Sequence, residues 1–159
     1  MGAGSWGTAF ARLLADRGHA VTLAARDPEQ ARAMAETGRN PRYLTGVPLN
    51  GVESTTIADA PIAAADVVVL AVPSAAFAGV AHALPGSAPV LSLTKGLDPG
   101  SGERLSTLVR DRSVAVLSGP TSPRRSARAF RPQPSSRART RPWPRSSSTR
   151  PTRSSSGCT

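Results

Sequence analysis

Short apolar runs and helix-spaced stretches alternate along the first 120 of the 159 residues. Residues 8–17 repeat apolar positions at the helical period, with Ala9, Leu13 and Leu14 as buried positions. Gly18 stands where such a helix stops. Residues 19–25 then read as a short buried strand, with His19 as a plain surface residue at its entry. Asp27-Pro28-Glu29 opens a second helix through Ala35, with proline just inside the start, acids in the first turn and Gly38 as the stop. Residues 40–49, punctuated by Pro41, Gly46 and Pro48, form a loop. A strand over 54–57 and a helix over 58–65 lead into the clearest strand, 66–72, which is β-branched and apolar on both faces like a central parallel strand. Pro73 and Ser74 end it and open a helix over 75–84. A buried strand over 89–93, a helix over 103–110 and a last strand over 113–117 complete the series.

Strands alternating with helices predict an α/β fold, a Rossmann-like doubly wound parallel sheet occupying residues 1–120. The pattern stops at Pro120. Residues 121–159 hold ten Arg, ten Ser and six Pro with almost nothing apolar to bury, so a disordered basic tail is expected there.

Charge follows the same division. The net charge of +10 suggests nucleic acid until it is located. Residues 1–120 carry ten Lys/Arg and ten Asp/Glu and are neutral, so the whole surplus lies in the tail. Phe130 and Trp143 are its stacking candidates, and it lacks helical periodicity, so no specific nucleic-acid partner is expected. The longest apolar stretch, 62–72, is broken by Asp66 and too short to span a bilayer. No signal peptide is recognisable, and the single cysteine, Cys158, fits a reducing cytoplasm. No membrane partner and no metal are expected.

The candidate chemistry gathers at strand ends. Gly2-Ala3-Gly4-Ser5-Trp6-Gly7 has the G-x-G-x-x-G spacing and runs into the first helix. In a dinucleotide-binding unit the first glycine makes the turn, the second admits the pyrophosphate and the third lets helix and sheet pack closely. Only Met1 precedes it, so the sheet is expected to lack its first strand, with Met1 an internal methionine and the domain folding marginally or not at all. Arg26 follows the second predicted strand, where an arginine pairs with the 2′-phosphate of NADP and an acid would hold the ribose of NAD; a solvated loop arginine is the competing reading. Asp27 reads as the cap of the second helix. Lys95, the chain's one lysine, ends a parallel strand at the edge where open α/β sheets bind ligands. Pro73 ends another such strand.

Five blocks in one order, Gly-Ala-Gly-Ser-Trp-Gly-Thr-Ala at 2–9, Asn-Pro-Arg-Tyr-Leu-x-Gly-Val at 40–47, Leu-Ala-Val-Pro-Ser at 70–74, Ser-Leu-Thr-Lys-Gly at 92–96 and Leu-Ser-Gly-Pro at 117–120, resemble the N-terminal domain of bacterial NAD(P)-dependent glycerol-3-phosphate dehydrogenase. The resemblance covers residues 2–120. It implies a cytoplasmic oxidoreductase of phospholipid precursor synthesis, interconverting dihydroxyacetone phosphate and sn-glycerol 3-phosphate with NADP or NAD. By the same resemblance Gly2, Gly4, Ser5, Trp6, Gly7 and Pro73 would border the cofactor, Arg26 and Asp27 its adenosine ribose, and Tyr43 a further cofactor contact. Lys95 would touch nicotinamide and substrate, and Gly119 the substrate. Asp27 departs from the basic residue often seen there, against a strong NADP preference.

No catalytic residue is assigned, because the family's proton-donor lysine lies in a helical C-terminal domain with no counterpart here. The chain is expected to be an inactive fragment, or alternatively a nucleotide-binding remnant without catalysis. The lesser reading is a polyanion binder using its Arg-rich tail. Oligomeric state is left open. Codons can be written for residues 121–126 that, stepped back one base, encode Asn-Leu-Ala-Glu-Glu-Val. The tail therefore reads as the family's continuation taken out of frame.

Overall fold

A computed structural model of the chain describes residues 1–117. The tail, its proposed change of frame and Gly119 lie outside the described residues. Helix α1, Ser5–Ala15, begins three residues earlier than the periodicity indicates. Gly4 is already its N-cap, so the turn of the glycine loop and the first turn of the helix are continuous. The buried residues of α1 are the small ones, Gly7, Thr8, Ala9 and Ala11, whereas Leu13 and Leu14 are half-buried. Small side chains let the helix axis approach the sheet.

Strand β1, Val21–Ala25, leads into helix α2, Pro28–Thr37. The start of α2 is as expected: Pro28 occupies the first turn, and the Asp27 carboxylate accepts the Glu29 N–H at 3.0 Å. Its stop is Gly38 at φ 62°, whose N–H bonds to the Met34 carbonyl, so the helix runs two residues beyond Ala35.

Strand β2, Val52–Thr56, pairs in parallel with β1 in the register Val21 to Val52. The helix expected over 58–65 is a single 3-10 turn, Ile62–Ala64. Pro61 has no N–H to bond back, and Thr56 and Asp59 close a local turn through a 2.6 Å hydroxyl–carboxylate bond.

Strand β3, Val68–Leu70, helix α3, Ser74–His82, and strand β4, Val90–Ser92, follow in order. Strand β5, Val114–Val116, completes a parallel sheet ordered β3-β4-β5, with Val68, Val90 and Val114 in register. The five strands of the described residues fall within two residues of the expected positions. The helix expected over 103–110 is again one 3-10 turn, Leu105–Leu108. Thr107 sends both its N–H and its hydroxyl to the Arg104 carbonyl, which competes with α-helical bonding.

The two sheets meet at the chain start. The Met1 ammonium donates to the Val69 carbonyl at 2.7 Å, and the Ala71 N–H donates to the Met1 carbonyl at 2.9 Å. On the other side the Gly2 N–H donates to the Ala24 carbonyl at 2.9 Å. No strand precedes α1 among the described residues, yet residues 1 and 2 occupy the position between β1 and β3. The resulting order is β2-β1, then residues 1–2, then β3-β4-β5: a Rossmann-like doubly wound arrangement. Apolar packing divides at the same line. One cluster joins Ala3, Ala11, Leu23, Ala25, Ala31, Met34 and Leu49. The other joins Val68, Leu70, Phe77, Ala81, Leu84, Val90 and Leu105.

Candidate functional site

The three glycines of the loop have different surroundings. Gly2 sits at φ 94°, and a Cβ there would run into the Ala71 carbonyl. A Cβ on Gly7 would overlap the Gly2 carbonyl oxygen. Around the Cβ direction of Gly4 nothing lies within 4 Å. The outer glycines thus serve close packing inside the protein, and the middle one faces open space at the N-terminus of α1. That end has no side-chain cap and no acid in its first turn, and its leading N–H groups and dipole favour an anion.

Behind the loop lies a buried polar network that the residue pattern did not announce. Asn40 and Thr8 are fully buried, and Gln30 nearly so. The Asn40 amide nitrogen donates to the Ala3 carbonyl at 2.9 Å and to the Thr8 hydroxyl at 2.8 Å. Its oxygen accepts the N–H groups of Arg42 at 3.0 Å and Tyr43 at 3.1 Å, and the Gln30 amide at 3.1 Å. Gln30 also donates to the Ala3 carbonyl, at 3.0 Å. The far end of the 40–49 loop is tied to α1 by Arg12, which donates to the Pro48 carbonyl at 2.9 Å. The available signal was local: an asparagine opening a turn bonds the backbone two and three residues on.

At the end of β1, Arg26 is exposed, and Asp27 pairs with Arg42 at 2.5 Å. The backbone N–H of Glu29 foremost, and the Arg42 guanidinium beside it, hold the Asp27 carboxyl below its usual range against a partial loss of solvent. Both Asp27 oxygens therefore have partners within the protein, one on the helix cap and one on Arg42. Tyr43 is exposed on the same loop. Arg42, within the Asn-Pro-Arg-Tyr block, is a site residue through its pair with Asp27.

At the ends of β3 and β4, Pro73 caps α3 and is exposed, and the Thr94 hydroxyl donates to the Val72 carbonyl at 2.9 Å. Lys95, exposed, places its ammonium 5.9 Å from the centroid of the Trp6 ring. Gly2, Gly4, Ser5, Trp6, Gly7, Pro73 and Lys95 are thereby gathered around the loop and the C-terminal ends of β3 and β4. Arg26 and Asp27 follow β1 directly, and Tyr43 is the neighbour in the chain of Arg42, which pairs with Asp27. His19 is exposed, as expected.

Residues 1–126 match the sequence model of a family described as NAD-dependent glycerol-3-phosphate dehydrogenase N-terminus. Among curated proteins the chain is similar to a glycerol-3-phosphate dehydrogenase, NAD(P)+, of Nocardia farcinica, at 46% identity over 135 residues covering 76% of this chain and 40% of the relative. A protein of the same name from Moorella thermoacetica is 47% identical over 130 residues, covering 76% and 38%. A crystal structure of glycerol-3-phosphate dehydrogenase from Coxiella burnetii is similar with a TM-score of 0.71 at 31% identity, covering 79% of this chain and 41% of that one. The chain spans about two fifths of the length of the relatives it matches.

Proposed function

Because the chain belongs to the NAD-dependent glycerol-3-phosphate dehydrogenase family, we propose that residues 1–117 form the dinucleotide-holding part of an enzyme acting on sn-glycerol 3-phosphate and dihydroxyacetone phosphate. The carrying observation is the contrast among the glycines: Gly2 and Gly7 are closed off by protein, whereas Gly4 opens onto the uncapped start of α1. An open helix N-terminus with this dipole favours a phosphate.

In this reading the N–H groups of Gly4, Ser5, Trp6 and Gly7 hold the pyrophosphate of NAD or NADP. Arg26, Asp27 and Tyr43 lie toward the adenosine ribose. Trp6, Pro73 and Lys95 border the nicotinamide end, and Lys95 also meets the substrate, with Gly119 as a second substrate contact. The bound nicotinamide would supply the hydride. Lys95 contributes a compact positive charge to an anionic phosphate ester or its carbonyl. Ketone reduction also needs a proton delivered to the developing alkoxide and a site that excludes water.

The 159 residues alone are therefore proposed to bind the dinucleotide without reducing dihydroxyacetone phosphate, in the cytoplasm and in the service of phospholipid precursor synthesis. Calorimetric titration of the chain with NADPH and NADH tests binding, and the dihydroxyacetone phosphate-dependent loss of NADPH absorbance tests turnover. Saturable binding without turnover is the expected result. Absence of binding to either dinucleotide overturns the reading.

A further inference from the structure

We propose that Asn40 is a positioning residue that aims the Gly4 N–H at the dinucleotide's phosphates. The proposal deepens the cofactor-binding reading and rests on it.

The Ala3 carbonyl accepts two side-chain donors, Asn40 at 2.9 Å and Gln30 at 3.0 Å, which use both of its lone pairs. The peptide bonds of the described residues are trans, so a carbonyl and the N–H that follows it lie in the peptide plane and point in opposite directions. Holding the Ala3 carbonyl inward therefore directs the Gly4 N–H to the side away from Asn40 and Gln30. Without those donors the plane is free to rotate, and the first N–H of the anion cradle loses its aim.

The orientation of the Asn40 amide is fixed by its partners. Its nitrogen faces a carbonyl and a hydroxyl, and its oxygen faces the N–H groups of Arg42 and Tyr43. Turning it over would set donor against donor and acceptor against acceptor. The same group consequently couples two parts of the cofactor site: the glycine loop on one side and the turn carrying Arg42 and Tyr43 on the other. An aspartate of the same shape keeps the acceptor for Arg42 and Tyr43. It has no donor for Ala3, and its carboxylate oxygen would face the Ala3 carbonyl.

The test is NADPH affinity of the 159-residue chain, its Asn40→Asp variant and its Gln30→Met variant, each titrated well below its own melting temperature. The backbone amide resonance of Gly4 is followed by NMR in parallel. Gln30→Met removes one of the two Ala3 donors and leaves Asn40 in place, so it reads the same effect should Asn40→Asp fail to fold. The expected result is a Kd raised about tenfold by Asn40→Asp and by a smaller factor by Gln30→Met. The Gly4 amide shift on NADPH addition should shrink in step with affinity, a readout that a merely structural role would not move. If the unaltered chain binds NADPH and the folded variants bind it equally well, the positioning role is overturned while the cofactor reading stands. If the unaltered chain itself does not bind, both fall.

Discussion

The Lys95 ammonium lies 5.9 Å from the centroid of the Trp6 ring, so the end of β4 touches the first turn of α1 across the glycine loop. A cation over an indole face at this range is worth about 0.5–1 kcal/mol at an exposed site. A double-mutant cycle of Trp6→Leu and Lys95→Met, read by urea denaturation, should show a coupling of about that size. Strict additivity would mean that the two groups do not act on each other.

The glycine loop predicts an asymmetry between two substitutions of the same kind. Gly7→Ala must move the carbonyl of Gly2, whose N–H is bonded to Ala24 in the seam between the sheets, and should cost about 3 kcal/mol or more. Gly4→Ala meets no protein atom and Gly4 has φ −78°, so stability should fall by about 1 kcal/mol or less. NADPH affinity should nevertheless drop in Gly4→Ala, because the methyl occupies the phosphate's approach. Thermal melts and titrations of the two variants check both halves.

Asp27 predicts a pH effect with a definite sign. Its folded pKa lies below the ordinary 3.8, so its contribution is present above that value and is lost as pH falls through the lowered one. The melting-temperature advantage of the unaltered chain over Asp27→Asn should therefore be constant near neutrality and shrink as the pH falls through the lowered pKa. A difference that grows on acidification would contradict the cap and the Arg42 pair as its source.

The Met1 amino group carries the opposite charge type. Burial lowers its pKa from 8.0 to about 6, so the unfolded chain binds more protons between those values. Stability should rise as pH climbs through that window, by roughly 2–3 kcal/mol in all. Acetylating the amine leaves an N–H to bond Val69 and removes the titration. A melt series between those pH values on the free and acetylated chains should show the slope only in the first.

Much of this was legible along the chain. Strand positions, the α2 cap at Asp27 and the glycine spacing follow from local chemistry, and the structure agrees with them. The helices expected over 58–65 and 103–110 fail for local reasons too, Pro61 in one and the Thr107 back-bonding in the other, but apolar periodicity does not register either. Asn40 was unreadable for a different reason. Its partners come from residues 3, 8, 30, 42 and 43, and only the fold brings them within reach of one amide.

Two ladders, β1-β2 and β3-β4-β5, are joined edge to edge by backbone bonds at Met1 and Gly2, and the two apolar clusters part along the same line. Deuterium should therefore enter the protein in two instalments, with the amides of one ladder exchanging as a group separate from those of the other. Under a load applied across the strands, the break begins at that join, and each half keeps its own core after the other has let go.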